Sequence, residues 1–181
     1  MSYKKWVLVA VSLFGVGLVV GLALPPELNL TTETLTSLEE LSRLLTPFSI
    51  LTVLLIFVKN TSTLVFSFIL SPLLCLVPVI SLTVNGCIIS LVSAMVVQEQ
   101  SLGFLLVGLI PHGIFELPAF IIGQAAALSF GAMVLVALFR KEKRGLLMGG
   151  LKQNLKYLAL ALVLLLPAAI LETYVTPWLL T

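Results

Sequence analysis

From residue 60 to residue 98 the chain carries no charged side chain. A run of about 39 residues without a charge has no face to present to water, so lipid or protein must surround it. Residues 6–26 repeat the pattern after Lys4 and Lys5, and their apolar stretch, to Leu24, is long enough to cross about 30 Å of hydrocarbon. Composition agrees: 60% of the 181 residues are hydrophobic, 10% are charged, and the mean hydropathy is +1.20. A soluble domain carries roughly 45–50% apolar and about 25% charged residues. The chain reads as an integral membrane protein. A disordered chain, a secreted disulfide scaffold and a nucleic-acid binder with a broad basic face are excluded, the last also by a net charge of only +2. Cys75 and Cys87 fit no zinc or redox spacing and read as lipid-facing or core thiols.

Three units are expected along the chain. Residues 1–27 form a first transmembrane helix, uncleaved because Leu24-Pro25-Pro26 offers no small-x-small processing site. Residues 28–47 are acidic, with Glu27, Glu33, Glu39 and Glu40 in or beside them against Arg43. Leu38, Leu41, Leu44 and Leu45 fall at helical spacing there, which predicts an amphipathic helix on the extracytoplasmic membrane surface. Residues 48–181 form the membrane core. Within it lie a short apolar run ending at Lys59-Asn60, the uncharged segment interrupted by Pro72, Pro78 and Asn85-Gly86, an apolar stub over 102–110, a small-residue-rich span over 119–139, and a last span from Tyr157 to about Thr176. The predicted fold is all-α, a polytopic transmembrane helical bundle with broken or re-entrant helices.

Basic residues favour the cytoplasm. Lys4, Lys5, Lys59 and the basic stretch over 140–156 are therefore expected inside, and the acidic segment outside. That arrangement requires an odd number of crossings, five or seven, with a cytoplasmic N-terminus and an extracytoplasmic C-terminus.

Chemistry is concentrated at His112 and Glu116, four residues apart and so on one face of a helix. Pro111 suits a first helical turn, while Pro118 removes a bond to the Ile114 carbonyl. Pro111, Pro118 and Gly86 are expected helix-break positions. Ionisable groups at membrane depth are costly and are usually kept for function. The pair reads either as a structural hydrogen bond pinning a re-entrant turn or as a proton relay or ligand site. Asn60, Asn85 and Gln124 complete the expected intramembrane polar core. Asn85-Gly86 marks a helix break or a close helix contact, and Gln124, eight residues after Glu116, is set for interhelical hydrogen bonding. Glu172, beside Tyr174 and Trp178, reads as an interfacial anchor. One histidine cannot make a two-histidine zinc site within a chain, and no His-Glu-x-x-His or Gly-x-Ser-x-Gly motif exists. No catalytic residue, metal or cofactor is expected. Gly123, Ala127 and Gly131 recur every fourth residue, a stripe that lets another helix approach closely within the chain or across a dimer.

The segment Pro111-His112-Gly113-Ile114-Phe115-Glu116-Leu117-Pro118-Ala119 resembles the Pro-His-Gly-x-x-Glu-Leu-Pro-Ala signature of the stage II sporulation protein M (SpoIIM) family. Lys59-Asn60, Asn85-Gly86 and the small-residue stretch over 119–131 support the resemblance, which covers about residues 48–171. The chain has a single asparagine at Asn60 where members often have two, and Cys87 where a glycine is common. The resemblance implies a non-enzymatic membrane scaffold, in spore-forming bacteria one that holds cell-wall hydrolases during engulfment. The expected role is that of a scaffold or assembly subunit of an envelope complex in the cell membrane. Its expected partners are the lipid bilayer, other membrane or envelope proteins and a second copy of the chain, with no nucleic acid. The rival expectation is a small transporter or channel built around the His112/Glu116 site.

Overall fold

The computed structural model describes residues 2–24 and 47–180. The expected acidic surface helix lies outside the described residues. Among these, the chain is all-α, and five helical stretches are long and apolar enough to cross a membrane. Helix α1 spans Tyr3–Ala23, α2 Ile50–Leu70, α3 Leu76–Glu99 and α4 Leu102–Phe139. A 3-10 turn over Lys141–Leu146 leads into α5, Leu147–Ile170, and a π-helical turn, Leu171–Val175, joins α5 to the short α6, Thr176–Leu180. Among the described residues the number of such stretches equals the lower of the two expected crossing counts.

Four expected interruptions do not interrupt. Lys59 and Asn60 stand in the middle of α2, because lysine is a good helix former and its long stem tolerates a half-apolar setting. Pro111 and Pro118 both lie inside α4, so the stub at 102–110 and the span after Pro118 are one helix of 38 residues. Each proline removes one backbone bond, a loss that bonds on either side and packing by neighbouring elements offset in a membrane helix. Gly86 lies inside α3, and the neighbouring Asn85 donates its amide to the Ser81 carbonyl one turn back (2.8 Å). None of Pro111, Pro118 and Gly86 is a helix break. The real break in the uncharged segment is at residues 71–75, where Pro72 follows the end of α2 and both Leu74 and Cys75 take left-handed backbone angles (φ 55° and 56°).

Register follows from the contacts. Gly17 faces Thr83 and Gly21 faces Cys87, so α1 and α3 run parallel. Asn60 meets Glu116 and Ser67 meets Gln124, so α2 and α4 also run parallel. Gly150 lies against Met133 and Thr176 against His112, so α5 returns antiparallel to α4. The α1–α3 contact rests on glycine. A Cβ at Gly86 would collide with the Phe14 carbonyl, and one at Gly17 with the Thr83 carbonyl. Small residues let backbones approach in this way, and dispersion then acts over a long seam. Asn85-Gly86 is therefore the close-contact alternative of the two expected.

The small-residue stripe on α4 is used within the chain. Gly123 packs on Leu64 of α2, Ala127 is fully buried, and Gly131 receives the Ser71 carbonyl and the Cys75 sulfur of the α2–α3 turn. Outward faces carry large apolar side chains such as Leu22, Val19 and Phe66, all more than half exposed. Gln124, by contrast, is 0% exposed. That distribution, apolar outside and polar within, suits a chain bathed in lipid.

Candidate functional site

The polar groups of the bundle fall into two layers. The deeper layer is centred on Gln124, which accepts a hydrogen bond from the Ser67 hydroxyl (2.7 Å) and donates to the Ser81 hydroxyl (2.9 Å). One amide thereby ties α2, α3 and α4 together, with its acceptor and one donor both satisfied. Gln124 is thus separate from the His112/Glu116 cluster and has the interhelical role expected of it.

The second layer lies about two turns along α4, away from the basic cluster. His112 Nε2 stands 3.9 Å from Glu116 Oε2, the meeting that the four-residue spacing predicted. Asn60 donates its amide to Glu116 Oε1 at 3.0 Å, so α2 contributes to the cluster as well. His112 Nδ1 lies 3.4 Å from the Thr176 hydroxyl at the start of α6. A cavity of about 210 Å³ opens beside these groups, lined by Lys59, Asn60, Asn85, His112 and Glu116 together with apolar residues of α1 to α5. Asn85 therefore reaches the site as a wall of the cavity, its amide engaged within its own helix.

Two participants were not legible as site residues. Glu172 was expected to anchor the membrane interface. It instead brings a carboxylate to within 4.8 Å of ligating atoms of both His112 and Glu116. The π-helical turn over Leu171–Val175 places it there. Pro177 has no N–H to offer the Thr173 carbonyl four residues back, and the Phe48 N–H, just before α2, takes that acceptor at 3.2 Å. The Phe48 and Tyr174 rings meet edge to face at 6.2 Å and close the same corner. The sequence did carry a signal: an acidic residue in an otherwise apolar span is a functional candidate by default. Lys59, expected as a cytoplasmic marker, lies mid-helix and lines the cavity.

The signature at residues 111–119 sits at the centre of this arrangement, and the family comparison covers nearly the whole chain. The family described as stage II sporulation protein M matches residues 10–177. This chain belongs to the stage II sporulation protein M family. An uncharacterized protein of the archaeon Methanocaldococcus jannaschii is 29% identical over 99 residues, covering 54% of this chain and 56% of that protein. The chain thus spans little more than half the length of that curated relative. No solved structure matches. The family match begins inside α1 and ends within α6, so it takes in every element that contributes to the His112/Glu116 cluster.

Proposed function

We propose that this multi-pass membrane protein is a scaffold or assembly subunit of an envelope complex, without catalytic activity of its own. The observation that carries the reading is how the signature's polar groups are used. Asn60, His112, Glu116 and Thr176 engage one another and fasten α2, α4 and α6 into one clasp. A clasp of this kind fixes the outward helix faces on which partners would dock. The N-terminus is cytoplasmic and the C-terminus extracytoplasmic. Supporting this, Tyr3 stacks on Tyr157 with ring centroids 3.5 Å apart, which gathers Lys4, Lys5, Lys152 and Lys156 at one end of the bundle. If a second copy is the partner, it meets a face other than the Gly123/Ala127/Gly131 stripe, which is occupied within the chain.

The test is a mild-detergent pull-down from native membranes, with wild type beside His112→Ala/Glu116→Gln at equal expression. A stoichiometric partner held by wild type and lost by the variant is the expected result. Retention of the partner by both would make the clasp local to the fold.

A second reading, a small transporter, draws on one observation: the polar cavity beside the clasp. It expects solute or proton flux in liposomes that Glu116→Gln abolishes, and equal flux from wild type and variant would remove it.

A further inference from the structure

Glu172, Glu116 and His112 come from two distant stretches of sequence and converge inside the helical bundle, half-buried beside the cavity. Their ligating atoms all lie within 4.8 Å of one another. Two carboxylates held this close in a medium of low dielectric repel one another and each loses hydration. A neutral imidazole with two carboxylates carries two negative charges, which one divalent cation cancels. Lys59 also lines the cavity and its charge acts on Glu172, yet among the described residues no salt bridge within 4.0 Å joins it to either carboxylate, so a net negative charge is left for a cation.

The surroundings match those of metal ligands. Ligating histidines direct their second nitrogen to a hydrogen-bonding partner, and ligating carboxylates are themselves hydrogen-bonded. Here Thr176 faces His112 Nδ1, leaving Nε2 toward Glu116, and the Asn60 amide holds Glu116 Oε1 so that Oε2 faces the histidine. The supporting contacts therefore turn one free nitrogen and one free oxygen toward each other. Glu172 is brought to the same point by a π-helical turn, a departure from α-helix often found at functional sites.

We propose that His112, Glu116 and Glu172 bind a first-row divalent metal ion, with Zn2+ the first candidate. Mixed imidazole and carboxylate donors suit zinc, iron or manganese better than the all-oxygen set preferred by calcium or magnesium. Ligands of tetrahedral zinc lie about 3.3 Å apart, given metal–ligand distances of about 2.0–2.1 Å. The His112–Glu116 separation of 3.9 Å closes to that value by small side-chain rotations. Three protein ligands leave one position for water or another ligand, and the cavity lined by His112 and Glu116 adjoins it. The inference does not depend on the scaffold reading, since a clasp closed by a cation is still a clasp.

The experiment uses the full chain, purified in detergent, stripped with a chelator and titrated with Zn2+, then with Co2+ as a spectroscopic substitute. The expected result is one tightly bound ion per chain, a Co2+ d–d band of four- or five-coordinate intensity, and a metal-dependent rise in Tm. Glu172→Gln, nearly isosteric and checked for metal-free folding by thermal unfolding, should lose the band and the rise. Asn60→Ala, which alters only a supporting bond, should keep the band with affinity weakened by about 10–100-fold. Glu99→Gln, at the far end of α3, should bind as wild type does. A wild-type chain that stays metal-free in excess Zn2+, or a Glu172→Gln chain that binds equally well, overturns the proposal. A chain that binds Zn2+ but retains no partner in the pull-down would support the metal site and count against the scaffold.

Discussion

Gly86 leaves no room for a methyl group, because the Phe14 carbonyl of α1 already occupies the place of a Cβ. Gly86→Ala therefore forces the two helices apart and should cost about 1–3 kcal/mol, the usual range for overpacking. Gly15 is the control, since nothing lies within 4 Å of a Cβ built there. Gly15→Ala should be neutral or stabilising by up to about 1 kcal/mol through helix propensity. Unfolding in mixed detergent micelles measures both. Gln124 allows a second residue-scale expectation. Gln124→Leu leaves the Ser67 and Ser81 hydroxyls without their partner, and bonds of this kind in membrane proteins are worth about 0.6–1.7 kcal/mol each. The triple variant with Ser67→Ala and Ser81→Ala should be less destabilised than the sum of its parts, which a mutant cycle would show. His112 and Glu116 were legible beforehand because their spacing lies within one helix turn. Glu172 was not, since only the folded path of α5 carries it to them.

Helix α4 has 38 residues, about 57 Å at 1.5 Å each, nearly twice the thickness of the hydrocarbon layer. Its length is shared between two hairpins that overshoot the bundle at opposite ends. The α2–α3 turn meets α4 at Gly131, so α4 runs on for about 12 Å to Phe139. At the other end α3 and α4 continue past Ala23, where α1 stops, and turn at Gln100 with the Ser101 hydroxyl accepting from the Phe104 N–H. In a chain with Cys75 and Cys87 replaced by alanine, Phe139→Cys and Gly103→Cys should react with a membrane-impermeant maleimide from opposite sides. Ala127→Cys, at a fully buried position, should stay unreactive. Labelling of both end positions from one side would contradict the arrangement. The sequence suggested an interrupted α4 because two prolines and a short stub look like separate pieces. What keeps it whole is packing along α5, a tertiary contribution that local propensity cannot register.

If each of the five long apolar helices among the described residues crosses once, as the proposed topology requires, the two ends of the chain lie on opposite sides of the membrane. Reporters fused after Thr181 and before Met1 should accordingly be active in different compartments, the N-terminal one with the cytoplasmic basic residues; activity on the same side would require an even count. At this scale the sequence by itself determined that the chain lives in a membrane, that it is helical throughout its core, and that its scarce polar residues are exceptional. Hydropathy and charge decide these matters locally, because lipid admits no unpaired backbone and few bare charges. The His112–Glu116 pair and the interhelical role of Gln124 were legible for the same reason. Only the tertiary structure decided which helices run parallel, that the small-residue stripe of α4 faces α2, that Lys59 borders a cavity, and that Glu172 joins the histidine. Those outcomes depend on which faces meet across stretches far apart in sequence. Hydrophobic periodicity says nothing about that when every face of a helix is apolar.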